Sequence, residues 1–403
     1  GNKMTPRSSK HRTYAEIEEK IQNQTISILT VQELNERIQQ GETIAFEDVD
    51  VITTATKGLM SGTSAKLSFR IAEPKSFSKV KTITLNGIPA FPGPAPNESL
   101  GVVDLTVYGT MHSKTDQQYG GGHLFRDLVE RKPIDIHATS EEGKKIDAQI
   151  TLDEMDFAQL FGSRHAFRNY NAFTNPSEKV IISIFSVTGM KPLFQEATVC
   201  GTGSYNPLEN DPQLQTIGVG TSILVNGAPG MILSHGTRSS ANRPNLMTFA
   251  PLKLMHPQYM GGFMTSNGPE VVVSVAIPVP ILNTSIWEQV LKQDSEIALN
   301  IVDIVGRKKI AKTTYADAWS GNHANKSDYH DDQLPVVSFQ KGFCNDCDLN
   351  QNCPIVQQCP MACFVVNQGI DKTRCYNCGA CISLCPYNAF KGKLGILHIN
   401  NRE

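Results

Sequence analysis

Cys375-Tyr376-Asn377-Cys378-Gly379-Ala380-Cys381-Ile382-Ser383-Leu384-Cys385-Pro386 reads C-x2-C-x2-C-x3-C-P. This spacing lets three thiolates from one tight loop hold three irons of a [4Fe–4S] cube, while the fourth thiolate serves a second cube. A zinc site needs only two C-x2-C pairs and gives neither the third cysteine nor the proline a purpose. Upstream, Cys344-x2-Cys347-x5-Cys353-x5-Cys359-Pro360 is a looser copy. The tails align Cys359-Pro360-Met361-Ala362-Cys363-Phe364 with Cys385-Pro386-Tyr387-Asn388-Ala389-Phe390. Cys359 and Cys385 therefore take the crossing role, and Cys363 stands where the other half has Ala389.

Eight ligands then make two [4Fe–4S] clusters. One takes Cys344, Cys347, Cys353 and Cys385; the other takes Cys375, Cys378, Cys381 and Cys359. Cys363 is either a buried thiol facing the pseudo-twofold core or a replacement for one of the irregularly spaced ligands of the first half. Strand-like runs Val336–Phe339, Phe364–Val366 and Phe390–Leu397 surround the loops. Residues 334–403 accordingly resemble bacterial-type two-cluster ferredoxins.

Nine of the chain's ten cysteines lie in this segment, and only Cys200 stands outside it. Clustered cysteines of this kind belong to a reducing compartment, where thiols bind metal instead of pairing as disulfides, so a cytoplasmic location is expected. The 403 residues, with 40% hydrophobic and 19% charged, are long enough for two domains and exclude disorder, collagen and coiled coil. Thirty-seven Lys and Arg against 39 Asp and Glu give a net charge of -2 and no bulk field for nucleic acid or an anionic membrane. No apolar run approaches the roughly 18 residues of a membrane span.

Residues 1–12 are polar and read as frayed or left over from cloning. Residues 13–312 form the large domain, expected to be α/β or α+β with a mixed sheet. Tyr14–Gln22 and Thr30–Gln39 have helical spacing, as do Gly122–Glu130, Thr151–Leu160 and Ser285–Lys292. Val80–Leu85, Val102–Val107, Val180–Val187 and Val271–Ile277 read as strands. Asn86-Gly87-Ile88-Pro89-Ala90 is echoed by Asn226-Gly227-Ala228-Pro229-Gly230. Chance reuse of a favoured hairpin turn is the preferred explanation, with a duplicated unit as the alternative. Residues 313–333 are polar and aperiodic and read as a linker.

In the large domain Cys200 ends a short apolar run and is followed by Gly201 and Gly203. Glycines there allow backbone N–H groups to converge on an anion, an arrangement that lowers a thiol pKa. The bland alternative is a structural thiol. Arg238 and Arg243 follow in a loop-rich stretch and suit a sulfonate, phosphate or carboxylate, with His235 nearby in sequence for proton transfer. Gly218-x-Gly220 lacks the rest of a dinucleotide fingerprint. No G-x-S-x-G or H-E-x-x-H occurs, and the histidines have no ligand spacing.

Val51–Phe69, Leu85–Asp104, Gly203–Gly227 and Gly268–Pro280 carry a further likeness. With them the chain resembles the homocysteine-biosynthesis, sulfur-incorporation family of anaerobes, and the attached cysteine module makes it most similar to the methanogenesis marker 16 metalloprotein branch. The resemblance implies an enzyme that turns an aldehyde, sulfide and two electrons into a thiol. Sulfoacetaldehyde giving coenzyme M is the first expectation, and L-aspartate semialdehyde giving homocysteine the second. It also implies a working cysteine in the large domain, which here is Cys200, flanked by Gly201 and Gly203 and served by His235, Arg238 and Arg243. Some relatives have a second cysteine near Met60-Ser61-Gly62; Ser61 stands there in this chain, so no cysteine pair is available in the large domain. The expected partners are a small anionic aldehyde, a sulfide donor and an external low-potential electron donor, with no nucleic acid or membrane and self-association left open. An electron-transfer subunit and a cluster-delivery scaffold are the competing classes.

Overall fold

The computed structural model describes residues 9–93, 99–321, 337–347 and 352–392. The strands of the large domain are β1 (Ile28–Thr30), β2 (Val51–Leu59), β3 (Thr63–Arg70), β4 (Val80–Leu85), β5 (Ile88–Pro92), β6 (Val102–Tyr108), β7 (Ile134–Ser140), β8 (Lys145–Ile150) and β9 (Phe157–His165). They continue as β10 (Ala172–Thr174), β11 (Ala197–Val199), β12 (Ser222–Val225), β13 (Ala228–His235), β14 (Leu246–Pro251), β15 (Gly261–Thr265), β16 (Gly268–Pro280), β17 (Ala298–Asp303) and β18 (Lys309–Thr314). One 14-stranded sheet runs β1-β2-β16-β12-β13-β14-β9-β3-β6-β5-β4-β7-β8, with β15 on β16. It is mixed, since β1 pairs β2 in parallel and the other pairs are antiparallel. A mixed sheet with a minority of helix is the expected architecture at the coarse level.

The sheet contains the same five-strand pattern twice. The order β3-β6-β5-β4-β7 matches β9-β14-β13-β12-β16, with each unit taking its strands in the same chain order and the two joined antiparallel at β3 and β9. The Asn-Gly echo marks equivalent positions. Asn86 and Gly87 have φ 48° and 79°, Asn226 and Gly227 have 51° and 80°, the paired positive values of a type I′ hairpin. Both asparagines reach the next strand identically. Asn86 N–H donates to Asp135 O at 2.9 Å and Asn86 Oδ1 accepts from Asp135 N–H at 2.8 Å; Asn226 does the same with Ser274 at 2.8 and 2.9 Å. The recurrence is therefore a repeated structural unit, and the preference for chance is corrected.

Helices Tyr14–Gln22 and Val31–Gln39 form where periodicity places them, each opened by a Thr–Glu capping box at Thr13/Glu16 and Thr30/Glu33. Three segments differ from expectation. Thr151–Leu160 is a short 3-10 turn followed by β9, because Ala158 and Leu160 are buried in alternation and β9 must pair with both β3 and β14. Val180–Val187 is not a strand. Buried Asn175 donates to the Lys179 and Met190 carbonyls at 2.7 and 3.1 Å, taking acceptors that a neighbouring strand would have used, and only Ile181 bridges to Met190. Of the supposed linker, Thr313 and Thr314 end β18 and Tyr315–Gly321 is a helix anchored by Tyr315, which is fully buried. Residues 322–333 lie outside the described residues.

A smaller sheet, β11-β10-β17-β18, stands apart from the large one and carries Cys200 just past β11. The cysteine segment builds its own core around Phe339, Phe364 and Phe390, whose ring centroids are 4.9–5.2 Å apart. Short strand pairs Ser338–Phe339 with Phe390–Lys391 and Phe364–Val365 with Gly369–Ile370 frame it. The expected strand beyond residue 392 lies outside the described residues.

Candidate functional site

The two halves of the cysteine segment turn alike. Asp346 and Asn377 have φ 49° and 55°, and Ala362 and Asn388 have 50° and 54°, so both loops and both tails contain a left-handed residue at the aligned position. Cys359, Cys363, Cys375, Cys378 and Cys381 line one apolar recess together with Ile355, Phe364 and Leu384. Cys359 Sγ is 3.5 Å from Cys363 Sγ. Cys363 also hydrogen-bonds Cys375, and these bonds draw the Cys359 and Cys375 thiols down while pushing Cys363 up. Cys344, Cys347, Cys353 and Cys385 pack, together with Cys359 and Cys381, in the module's core of Val337, Ile355, Phe364 and Phe390.

Among the described residues no three His, Cys, Asp or Glu donors meet where one ion would sit. A four-iron cube does not ask for that, because each thiolate takes its own iron and the sulfurs stay apart. An apolar recess walled by thiols from both halves fits the donor set that the spacing requires.

The recess is pressed against the large sheet. Pro360 O accepts from Met264 N–H at 3.0 Å and from His123 Nε2–H at 2.9 Å. His123 Nδ1 accepts from Gly120 N–H at 3.0 Å, which fixes the neutral tautomer, and burial lowers its pKa. Phe263 meets Tyr376 edge-on at 5.4 Å, and Arg374 lies 3.5 Å from Asp127. Phe263, Val272, Met361 and Cys363 share one buried cluster.

Cys200 occupies a different environment. It packs with Phe173, Met190, Val302 and Ile304, flanked by Tyr170, Ile181 and Phe185. Tyr315 Oη donates to Cys200 O at 2.8 Å and to Tyr170 O at 3.1 Å. The glycines have the positive φ expected of them, 94° at Gly201 and 64° at Gly203. The anion cradle they were expected to form is filled by the chain itself: Asn169 Oδ1 accepts from Thr202 N–H at 3.1 Å and Gly203 N–H at 3.0 Å. Arg168 and Asn169 in turn hold Glu209. Desolvation pushes Cys200 up to about 12, opposed by the charge of Arg307. The expected lowering is corrected to a rise.

Arg307 lies over Phe173 at 4.5 Å and Phe185 at 5.5 Å. The segment carrying Phe185 joins the two regions. Phe185 stacks on Phe173 at 4.1 Å in the Cys200 cluster, and Val187 packs into the cluster of Phe263 and Cys363. Two extended residues span at most about 7 Å. One short segment thus touches both the cluster of Cys200 and the cluster that includes Cys363.

Arg243 stacks over Tyr170 at 5.5 Å and so reaches the edge of the Cys200 pocket. Arg238, at φ 58°, and Arg243 both act on Arg164, whose Nε is buried without a hydrogen-bond partner. Burial and these like charges lower the Arg164 pKa. His235 stands exposed at the end of β13, opposite Leu246, and no described contact ties it to Cys200. Ser61 hydrogen-bonds the buried Glu270 carboxyl, whose pKa is raised by burial. Asn169, Arg307, Tyr315 and Arg164 escape sequence reading. Arg164 and Asn169 lie in the run Arg164-His165-Ala166-Phe167-Arg168-Asn169-Tyr170, whose density of basic and aromatic residues is the only signal.

These features describe a sheet protein with a thiol-lined module packed on its large sheet and a second, isolated thiol on its smaller one. The chain belongs to the homocysteine biosynthesis enzyme, sulfur-incorporation family, which matches residues 26–381. It is 40% identical over 389 residues to an uncharacterized protein of Methanothermobacter thermautotrophicus, covering 96% of this chain and 86% of that protein. An uncharacterized protein of Methanocaldococcus jannaschii is 36% identical, with 92% and 90% covered. The L-aspartate semialdehyde sulfurtransferase of Methanosarcina acetivorans is 32% identical over 321 residues, 76% of this chain and 62% of the relative. No solved structure matches. Among the described residues no helix is long and apolar enough to cross a membrane.

Proposed function

We propose that this chain is a reductive sulfurtransferase that converts a small anionic aldehyde, sulfide and two electrons to a thiol. Addition of hydrogen sulfide across the aldehyde carbonyl gives a thiohemiacetal, whose carbon carries one hydroxyl and one thiol. Two electrons and two protons then replace the hydroxyl with hydrogen, yielding the thiol and water. Two [4Fe–4S] clusters, held by Cys344, Cys347, Cys353 and Cys385 and by Cys375, Cys378, Cys381 and Cys359, would supply those electrons one at a time. The observation carrying this reading is the thiol-lined recess, with one segment reaching from its cluster at Val187 to the Cys200 cluster at Phe185. Cys200 is the candidate nucleophile: as a thiolate it would add to the aldehyde carbonyl, with a proton going to the carbonyl oxygen, and hydrosulfide would then displace it to leave the free thiohemiacetal and the Cys200 thiolate; Arg307 is the cation placed to favour loss of its proton.

Two aldehydes compete. The relatives named for an activity are L-aspartate semialdehyde sulfurtransferases, which supports homocysteine as product. Sulfoacetaldehyde, giving coenzyme M, is the other reading: Arg238 and Arg243 place positive charge beside Arg164, a cluster that suits a sulfonate. His235 has only its place in the chain to support a proton-transfer role.

The test is anaerobic purification, iron and sulfide quantitation, and an assay of both aldehydes side by side. Thiol from either aldehyde with bound iron supports the class, and sulfoacetaldehyde as the better competitor supports the arginine argument. Preference for aspartate semialdehyde returns the reading to homocysteine. No thiol from either, with sulfide and a chemical reductant present, leaves an electron-transfer subunit.

A further inference from the structure

A cube takes four thiolates, yet five thiols share the recess, and the fifth is not remote. Ala362, at φ 50°, turns the tail back after Pro360, and its N–H donates to Cys359 O at 3.0 Å. That turn brings Cys363 Sγ to 3.5 Å from Cys359 Sγ, with a further hydrogen bond to Cys375. The other half makes the same turn at Asn388 but presents the methyl group of Ala389. Cys363 is 6% exposed and packed with Phe263 and Val272 of the large sheet, so it sits on the side of the recess facing the catalytic body.

We propose that Cys363 is a reserve ligand for the iron assigned to Cys359, making this the one iron of the module whose protein ligand exchanges. This rests on the cluster reading above. In the exchange the iron–sulfur bond to Cys359 breaks and that to Cys363 forms. The proton of Cys363 passes to Cys359, and no electron is transferred. Because Cys363 is held by Phe263 and Pro360 is held by His123 and Met264, docking of the large sheet fixes both competing ligands at once.

The test uses the full chain, purified anaerobically, with iron and acid-labile sulfide counted per chain and the reduced protein examined by electron paramagnetic resonance. The four irons of the Cys344, Cys347, Cys353 and Cys385 site report folding in every variant. Cys359→Ala and Cys363→Ala are each expected to keep the wild-type iron content, Cys359→Ala with an altered resonance spectrum. The Cys359→Ala/Cys363→Ala double variant is expected to lose iron and sulfide from the second site. Equal loss in Cys359→Ala and the double variant would overturn the proposal, as would the same result with Cys359→Ser should the alanine variant not fold. Wild-type protein without iron would instead overturn the cluster reading.

Discussion

Cys200 and Cys359 are both semi-enclosed cysteines at the end of short elements, and they are prepared in opposite ways. Cys359 accepts a hydrogen bond from Cys363, which draws its pKa down. Cys200 lies among Phe173, Met190 and Ile304, and this burial raises it to about 12, while the Thr202 and Gly203 N–H groups beyond it are taken by Asn169. The difference teaches that a lone thiol in this fold is reactive only through what is brought to it. In the recess Cys359 and Cys375 are drawn down by their hydrogen bonds to Cys363, while burial pushes Cys378 and Cys381 up.

The strongest break of this contrast comes from the recess. Cys375→Ala is expected to lose the second site's iron and all thiol formation together, read by iron count and product assay. Cys200→Ala should lower product formation by more than about 10²-fold with iron and sulfide content unchanged. Unchanged turnover in Cys200→Ala would remove the isolated thiol from the reaction and leave the recess to act alone.

How far the two regions were legible follows the same division. The cysteine ligands are spaced within a few residues of each other, so local geometry alone proposes the recess, and even the tail alignment is repeated in the turns at Ala362 and Asn388. The Cys200 pocket draws Asn169, Arg307 and Tyr315 from three distant segments joined by β10, β11, β17 and the helix after β18. No periodicity encodes that. Tyr315 was hidden in a polar stretch read as a linker, and the glycines after Cys200 announced a turn without revealing that Asn169 would fill it. Thr151–Leu160 failed similarly: its buried positions fit either a helix or a strand, and pairing on both sides decided for β9.

A smaller effect sharpens the electrostatic half of the contrast. With Cys200 titrating at about 12, its alkylation rate should keep climbing to that pH, whereas an ordinary thiol levels off once above about 9. Because the folded value lies above the unfolded one, the folded chain holds this proton longer. The thiol's contribution to stability is full below pH 9 and falls as pH rises from 9 towards 12. Arg307→Ala removes the charge that lowers Cys200 and should slow its alkylation throughout that window. A rate independent of Arg307 would mean that burial alone sets the thiol.

The mildest expected change concerns how Cys200 is held. Tyr315 is fully buried and its hydroxyl serves two carbonyls, Cys200 O and Tyr170 O. Tyr315→Phe keeps the ring and its packing and removes only that donor, so the two carbonyls carry the penalty, about 1–3 kcal/mol in thermal or denaturant unfolding. Iron content should not move, since no described contact of Tyr315 reaches the cysteine module. Product formation should fall only as far as Cys200 shifts from its place beside Arg307. A Tyr315→Phe variant that lost iron as well would show that the smaller sheet and the thiol recess do not fold as independently as their separate cores imply.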